Sequence, residues 1–207
     1  MPIAEPAEHI SPLPIEHLAV LVIDVQAVFF CSDPPPFEAN EVIGRINSVT
    51  DKARAATVPV IFVRHEESSD ADSRVSLGWE FHPHLNVGER ETVIRKKTGD
   101  AFHGTNLESI LRSADIQSLL LMGYATDFCV DSTLRNAVSK DFEIFVVSDA
   151  HTTNDGPVLN ASLIRRHFNW VWSDSPSNRG IHLLSSSRVE FSASSAYKKK
   201  AAPQGAA

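Results

Sequence analysis

Hydrophobic and polar positions alternate along the chain in a pattern that predicts a parallel α/β sheet. Short apolar runs are separated by longer stretches in which apolar residues recur at helical spacing. Strands that alternate with helices in this way are typical of right-handed βαβ crossovers. The sequence therefore predicts an α/β fold, a three-layer, doubly wound, mostly parallel six-stranded sheet with helices on both faces, which is Rossmann-like. The predicted strands are 17–24, 58–64, 92–95, 117–122, 142–148 and 181–184, and the predicted helices are 38–56, 106–112, 127–139 and 158–168.

Composition indicates one soluble domain. The chain has 207 residues, of which 43% are hydrophobic and 22% charged. We expect an N-terminal arm over residues 1–15, a single domain over 16–189 and a flexible C-terminal tail over 190–207. The net charge of −7 argues against nucleic-acid binding, since phosphate contacts need a basic surface. No apolar run is long enough to span a bilayer, so no membrane partner is expected.

The start of the chain and the cysteine count bear on the expected cellular location. Residues 1–9 lack the basic and apolar regions of a signal peptide. The chain has two cysteines, Cys31 and Cys129, which allow at most one disulfide. A reducing compartment is the simpler interpretation, and we expect a cytoplasmic protein. Cys31 precedes a proline-rich loop and is interpreted as a loop thiol without a function.

Cys129 lies where an apolar strand pattern changes to a helical one. The run Gly123-Tyr-Ala-Thr-Asp-Phe-Cys-Val places it in the first turn of the helix that follows the strand at 117–122. Helix N-termini carry unpaired N–H groups and partial positive charge, which would lower the thiol pKa and favour a nucleophilic thiolate. The alternative is a small, inert thiol that packs beneath the helix.

A carboxylate and a pair of ammonium groups also follow predicted strands. Asp24 ends a strongly apolar run, and Lys96 and Lys97 follow the strand at 92–95. Open α/β sheets form their sites at the carboxyl ends of strands. A base, a cation and a nucleophile could therefore meet at one point. The alternatives are that Asp24 binds a metal or caps a helix and that the lysines form a solvated basic patch.

These segments together resemble the isochorismatase-like cysteine hydrolase family over roughly residues 16–172. Their order and spacing along the chain carry the resemblance more than any single motif does. The matching residues are Ile23-Asp24-Val25-Gln26, Lys96, Ala101-Phe102-His103-Gly104-Thr105, Gly123-Tyr124-Ala125-Thr126-Asp127-Phe128-Cys129-Val130, Thr133, Val146-Val147-Ser148-Asp149-Ala150 and His167-Phe168-Asn169.

The resemblance implies a catalytic triad and a mechanism. The family's Asp, Lys and Cys correspond to Asp24, Lys96 and Cys129, with Lys97 as the rival lysine. In the mechanism implied, the cysteine attacks an amide or ureido carbonyl to form a thioester. The backbone N–H groups of Ala125 and Cys129 would hold the oxyanion. The family also implies a cis peptide between Tyr124 and Ala125.

Whether this protein binds a metal ion has to be judged from its own sequence. Nicotinamidase-type relatives carry an Asp-x-His pair after the second strand that helps to bind a metal ion. Here the corresponding segment begins Arg64-His65-Glu66 and contains no such pair. His82 and His84 have alternate spacing that suits two metal ligands, but loop or surface histidines are the simpler interpretation. We therefore expect neither a metal nor any other cofactor.

Five residues are candidates for substrate binding. Gln26 shares a strand side with Asp24, so it could bond to the triad or to a neighbouring loop. His65 ends the second strand and could line the pocket or cap local structure. Trp79 and Phe81, which follow that strand, could form apolar walls of the pocket or pack in a small hydrophobic cluster beside the main core. The full set is Gln26, His65, Trp79, Phe81 and Tyr124.

Three functions remain open from the sequence. The first is a cysteine-dependent hydrolase that cleaves a carbon–nitrogen bond of a small amide or ureide. The second is an isochorismatase-type hydrolase of a vinyl ether, in which Cys129 is secondary. The third is a non-catalytic oligomeric relative. The retained cysteine favours the first, because it suits acyl transfer through a thioester. The resemblance also implies a homo-oligomer, a dimer or larger.

Overall fold

A computed structural model describes residues 12–66 and 79–192. The strands are β1 (Leu13–Pro14), β2 (Leu18–Ile23), β3 (Val60–His65), β4 (Thr92–Lys96), β5 (Ser118–Tyr124), β6 (Glu143–Thr152), β7 (Ile181–Leu184) and β8 (Phe191–Ser192). The helices are α1 (Ala27–Phe30), α2 (Ala39–Ala55), α3 (Leu107–Ser113), α4 (Asp131–Ser139) and α5 (Ala161–Asp174). A π-helical turn, Thr126–Val130, precedes α4, and a short 3₁₀ helix, Ser186–Arg188, follows β7.

Six parallel strands form the main sheet in the order β4-β3-β2-β5-β6-β7. This arrangement confirms the predicted doubly wound α/β fold. The chain builds outward from β2 to β3 and β4 on one side, and from β5 to β6 and β7 on the other. The order of the strands therefore reverses between β2 and β5, which is where open α/β sheets form their ligand-binding crevice.

Alternate residues of the strands pack against two separate helical layers. Val20 and Val22 of β2 join the cluster beneath α2, whereas Leu21 and Ile23 join the cluster beneath α3, α4 and α5. The period of two along a strand sends successive side chains to opposite faces. Because both faces are covered, all six residues of β2 are buried, which explains their unbroken apolar run.

The bounds of two predicted helices differ from the structure. The helix predicted over 158–168 begins at Ala161, since the Asn160 side chain accepts a hydrogen bond from the Leu163 N–H at 2.9 Å and caps it. It then continues to Asp174. The helix predicted over 127–139 begins with the π-helical turn at Thr126–Val130, so Cys129 does not lie in a regular first α-turn.

The two ends of the described chain meet. β1 pairs in parallel with β8, through Leu13 with Phe191 and Pro14 with Ser192, outside the main sheet. Part of the segments predicted as an arm and a tail is therefore paired, and Leu13 is fully buried. Residues 1–11 and 193–207 lie outside the described residues, so the boundaries of the arm, domain and tail stay predictions.

No helix in the described ranges 12–66 and 79–192 has the length and apolar character that crossing a bilayer would need.

Gly123 allows β5 to pass close to β2 immediately beside Asp24. Its φ of +128° is in the region that favours glycine, and a Cβ added there would lie 2.1 Å from the Ile23 carbonyl oxygen. The obstructing atom belongs to the backbone of the central strand, so it cannot rotate away. The glycine thus fixes the spacing between the strand ends that carry Asp24 and Cys129.

Replacing Gly123 by alanine is expected to destabilise the protein by about 3 kcal/mol or more, because a backbone clash and a disfavoured φ act together. Urea unfolding measures the loss. Gly44 on α2 is the matched control, since a Cβ there meets nothing within 4 Å. Gly44→Ala should leave stability unchanged or raise it slightly. Equal effects at the two positions would refute the proposed close approach.

Candidate active site

The carboxyl ends of three strands bring Asp24, Lys96 and Cys129 together. Asp24 follows β2, Lys96 is the last residue of β4, and Cys129 lies in the π-helical turn that follows β5. The Lys96 Nζ atom is 2.6 Å from Asp24 Oδ2 and 3.3 Å from Cys129 Sγ. β4 is two strands from β2, so the long lysine side chain is what spans the distance.

The structure distinguishes the two candidate lysines by their burial. Lys96 is 1% exposed and Lys97 is exposed at the surface. Lys96 has the same strand side as the buried Ile94, whereas Lys97 points away from it. Of these two lysines, Lys96 is therefore the one that contacts Asp24 and Cys129.

The Lys96 ammonium group lies among four acceptors. Besides Asp24 and Cys129, it donates to the Thr98 carbonyl oxygen at 3.0 Å and lies 3.3 Å from His65 Nδ1. An ammonium group has no lone pair, so in this contact the acceptor is His65 Nδ1. His65 therefore orients the cation.

Burial controls the titration of the acid. Asp24 is fully buried, and loss of solvation raises its pKa above the ordinary value of 3.8. The charge of Lys96 and hydrogen bonds from Lys96 and Cys129 oppose this rise. The backbone at Asp24 has a φ of +51°, an uncommon conformation for a residue with a side chain. Such a conformation persists where surroundings enforce it, often at functional sites.

The prediction of a low thiol pKa at Cys129 is wrong. Burial and the nearby Asp24 carboxylate raise the pKa of the thiol, and because Lys96 only partly compensates, the pKa is about 12. The effect expected from a helix N-terminus is therefore outweighed. At neutral pH Cys129 is therefore a thiol, and it must lose its proton to a neighbouring base in order to react.

Two backbone features of the turn around Cys129 bear on the predicted oxyanion hole. The peptide bond between Tyr124 and Ala125 is cis, as predicted. The Ala125 carbonyl oxygen accepts from the N–H groups of Phe128 and Val130, at 3.1 and 3.0 Å. The intervening Cys129 N–H is not bonded to that oxygen. The role of the Ala125 and Cys129 N–H groups as an oxyanion hole stays a prediction.

Gln26 binds the backbone of the neighbouring loop rather than the triad. Its amide nitrogen donates to the carbonyl oxygens of His65 and Trp79, at 3.0 and 2.6 Å. Its amide oxygen accepts from the His65 N–H at 2.8 Å. Gln26 is fully buried, and it holds together the two segments that carry the His65 and Trp79 rings.

Three aromatic rings line one side of the site. Tyr124 stacks on Phe29 with ring centroids 4.9 Å apart, and Phe29 meets Trp79 edge-on at 5.7 Å. His65 lies 5.6 Å from Trp79. Phe81 instead packs against Phe62 of β3, so its ring belongs to the core beneath α2.

Tyr124 also supplies a polar contact. Its hydroxyl donates to Asn154 Oδ1 at 2.8 Å, and burial raises its pKa to about 12. It therefore stays protonated at neutral pH. Sequence reasoning missed Phe29 and Asn154. Phe29 was visible only as one of two phenylalanines beside Cys31, and nothing near Asn154 in the sequence indicated a site.

The two histidines considered as metal ligands contact one another. Their ring centroids are 5.2 Å apart, and His82 Nδ1 accepts from the His84 N–H at 3.2 Å. Among the residues that the structure describes, no group of three or more His, Cys, Asp or Glu side chains could hold a metal ion. Asp149, at the end of the predicted fifth strand, accepts from the Ser186 N–H and hydroxyl, so it holds local structure.

A buried histidine behind the Cys129 turn was also missed. His151 on β6 is fully buried, and burial lowers its pKa to about 4. It is therefore neutral at physiological pH. Its Nδ1 lies 2.9 Å from Thr126 Oγ1, and its Nε2 lies 2.9 Å from Asn169 Oδ1.

The neutral state of His151 predicts loss of stability in acid. The folded pKa of about 4 is below the ordinary 6.5, so the unfolded chain binds the proton more tightly. The stabilising contribution of neutral His151 to the free energy of unfolding is therefore present above pH 6.5, and it is lost as the pH falls toward 4. We expect His151 to account for about 2 kcal/mol of the decrease in unfolding free energy between pH 7 and pH 5. Urea unfolding of His151→Gln should show a correspondingly smaller decrease, and an NMR midpoint for His151 above 6 would contradict the prediction.

Comparison with known proteins gives a consistent result. The Isochorismatase domain family model matches residues 18–171. Streptothricin hydrolase from Streptomyces noursei is 30% identical over 164 residues, which are 75% of this chain and 65% of that protein. Nicotinamidase 3 from Arabidopsis thaliana is 26% identical over 169 residues, 74% of this chain and 82% of that protein.

The same comparison extends to structure. The crystal structure of an isochorismatase family protein has 27% sequence identity and a TM-score of 0.74, and the match covers 83% of this chain and 99% of that chain. The chain spans slightly less than two thirds of the length of the streptothricin hydrolase that it matches.

Proposed function

Because this chain belongs to the isochorismatase family, we propose that it is a hydrolase that cleaves an amide or ureido carbon–nitrogen bond of a small molecule through a thioester on Cys129. One observation carries the proposal. A buried ammonium group, Lys96, lies 2.6 Å from the Asp24 carboxylate and 3.3 Å from the Cys129 sulfur. The names of two relatives, streptothricin hydrolase and nicotinamidase, support hydrolysis of this kind.

Acylation begins with proton transfer from Cys129 to Asp24. The raised pKa of the buried carboxyl makes it a better base than an exposed aspartate, and the thiol is within its reach. The sulfur attacks the carbonyl carbon and forms the C–S bond. Negative charge on the carbonyl oxygen would be held by the N–H groups of Ala125 and Cys129.

Collapse of this intermediate breaks the carbon–nitrogen bond. Asp24 returns the proton to the leaving nitrogen, which departs as ammonia or an amine. Water then attacks the thioester and gives a proton to Asp24, and that proton passes to the sulfur when the C–S bond breaks. Lys96 keeps its proton throughout and stabilises the negative charge that moves between Asp24 and Cys129.

The aromatic rings suggest how a substrate is oriented. Phe29, Trp79 and Tyr124 form an apolar wall that would pack against a flat acyl or ureido group. His65 lies beside both the wall and the lysine, so we propose that its ring also borders the substrate. These binding roles belong to the proposal, as does the absence of a metal from the reaction.

A screen for ammonia release tests the function directly. The panel includes simple amides, N-carbamoyl amino acids, biuret, ureidoacrylate and nicotinamide. Turnover of at least one compound is expected, and hydroxylamine in the assay should divert the thioester to a hydroxamate. No release from any compound by a folded protein would count against the proposal. Pyruvate release from isochorismate alone would favour the vinyl-ether alternative.

We also propose that the protein acts as a homo-oligomer in the cytoplasm. Support comes from apolar side chains exposed on and before α5, with Val158 88%, Leu163 43% and Trp170 52% exposed. Both cysteines are free thiols, which suits a reducing compartment. Sedimentation velocity should give a mass of at least twice 22.7 kDa, and a monomer at micromolar concentration would contradict the assembly.

A further inference from the structure

A hydrogen-bonded chain joins α5 to the turn that carries Cys129. Thr126 opens the turn, His151 lies behind it on β6, and Asn169 lies on α5. The His151 ring bonds to both neighbours at 2.9 Å, and Asn169 Nδ2 donates to the Ser148 carbonyl oxygen at 3.0 Å. Thr126 and His151 have no exposed surface. The hydrolytic mechanism above uses none of these three side chains.

The direction of each hydrogen bond in the chain follows from its last member. The Asn169 amide nitrogen faces a carbonyl oxygen, so its Oδ1 is the atom that faces His151. Oδ1 can only accept, hence His151 Nε2 carries the proton and Nδ1 has a free lone pair. The Thr126 hydroxyl must therefore donate to Nδ1. Each residue thus donates to the next, from Thr126 to His151 and from His151 to Asn169. Asn169 in turn donates to the Ser148 carbonyl oxygen on β6.

A second link reaches the turn from the same helix. Trp172 Nε1 donates to Asp131 Oδ1 at 2.8 Å, and Asp131 is the first residue of α4. The Trp172 ring also lies against the His151 ring, with centroids 5.0 Å apart. The first link is attached three residues before Cys129 and the second two residues after it. The two links therefore bracket the proposed nucleophile.

We infer that His151, Asn169 and Trp172 are positioning residues that hold the Cys129 turn from behind, so that the sulfur stays beside Asp24 and Lys96. A π-helical turn is rarer than an α-helical one, and external bonds such as these can keep it in place. Misplacement of a reacting group by 1 Å can cost about 100-fold in rate. The catalytic part of this inference rests on the proposed function, because it concerns that same cysteine.

The tryptophan link is tested by two matched variants on one helix. Trp172→Phe removes the indole N–H that bonds to Asp131 but keeps an aromatic ring. Trp170→Phe is the control, since Trp170 is 52% exposed on the same helix. We expect Trp172→Phe to lower kcat about 10-fold with little change in KM, because positioning affects the reacting atoms more than substrate binding. Trp170→Phe should leave both constants unchanged.

The histidine link is tested at its two ends. Thr126→Val removes the hydroxyl donor at nearly constant shape and should lower kcat about 10-fold, whereas Thr126→Ser keeps the donor and should stay within about 3-fold of the wild type. Asn169→Asp places a carboxylate against Nε2–H and favours the imidazolium form. Protonated His151 would donate from Nδ1 to Thr126 and reverse that bond. The other charged groups that act on this imidazole are Arg165 on α5 and Asp149 on β6.

A pH profile separates positioning from mere structural support. For Asn169→Asp we expect kcat relative to the wild type to fall further below pH 6.5, as His151 gains its proton. A variant that only loosens the fold would lower kcat by the same factor at every pH. Thermal unfolding of each variant is measured alongside, and if Thr126→Val does not fold, the Thr126→Ser and Asn169→Asp results decide the question.

The closing measurement needs no substrate. The rate at which iodoacetamide alkylates Cys129 is followed by peptide mass spectrometry, with exposed Cys31 as the reference in the same molecule. Trp172→Phe and Thr126→Val should change the Cys129 rate about 3-fold or more and leave the Cys31 rate unchanged. Unchanged rates at both cysteines, in folded variants, would overturn the inference. An inactive wild type with these shifted rates would instead contradict only the proposed hydrolysis.

Discussion

Replacing Cys129 by alanine is expected to lower kcat for carbon–nitrogen cleavage by about 10⁴-fold or more, because the proposed route needs the thiol to form the bond to the carbonyl carbon. The loss should appear in kcat rather than in KM, since the thiol forms its bond only during the chemical step. Ammonia release under single-turnover conditions measures it. Hydroxamate formation in the presence of hydroxylamine should disappear together with the ammonia.

The matched control is the other cysteine. Cys31 is an exposed free thiol after α1, so Cys31→Ser should retain wild-type rates and stability. The two variants together separate loss of the nucleophile from a general sensitivity to thiol removal. If Cys129→Ala retains carbon–nitrogen hydrolysis within 10-fold of the wild type, then the thioester route is wrong. In that case water activated by Asp24 becomes the better account.

The sheet and the meeting of three side chains could be predicted because both follow from local patterns. An unbroken apolar run such as 18–23 predicts a central strand, and parallel strands end at one edge. The choice of Lys96 over Lys97 was also present in the sequence. Ile94 is apolar and buried, and residues two apart on a strand share a side, so Lys96 is the lysine that points inward.

The support behind Cys129 could not be predicted, because it depends on an irregularity between strands. β6 was expected to end at Ser148, yet it continues to Thr152. The register between β5 and β6 shifts between Leu121 and Gly123, and this shift places His151 opposite Gly123. No periodicity in the sequence reports such a bulge. His151 therefore looked like a loop residue rather than a partner of the turn.

The pKa of the Cys129 thiol is raised rather than lowered for a different physical reason. Position at a helix N-terminus was visible in the sequence, whereas burial and the distance to Asp24 were not. Desolvation and a like charge nearby both oppose the thiolate, and they outweigh the single cation at Lys96. In the proposed mechanism the cysteine is therefore activated by proton transfer to Asp24 rather than by a low thiol pKa.

Replacing Asp24 by asparagine is expected to produce opposite changes in turnover and in thiol reactivity. The amide cannot take the Cys129 proton or return it to the leaving nitrogen, so kcat should fall about 10³-fold or more. The same substitution removes the negative charge that raises the Cys129 pKa toward about 12. A lower pKa increases the thiolate fraction at pH 8, so alkylation of Cys129 by iodoacetamide should accelerate about 10-fold.

Lys96→Met is the matched variant, and its expected effect on the alkylation of Cys129 is the opposite one. It removes the cation that lowers the Cys129 pKa, so alkylation should slow while turnover also falls. Turnover is thus expected to fall in both variants, whereas alkylation should accelerate in Asp24→Asn and slow in Lys96→Met. A simple loss of folding cannot produce this combination. Slower alkylation in Asp24→Asn would mean that the carboxylate already acts as the base in the resting site. Burial and the Asp24 charge would then no longer explain the titration of Cys129, and the thiol would react only as fast as Asp24 could accept its proton.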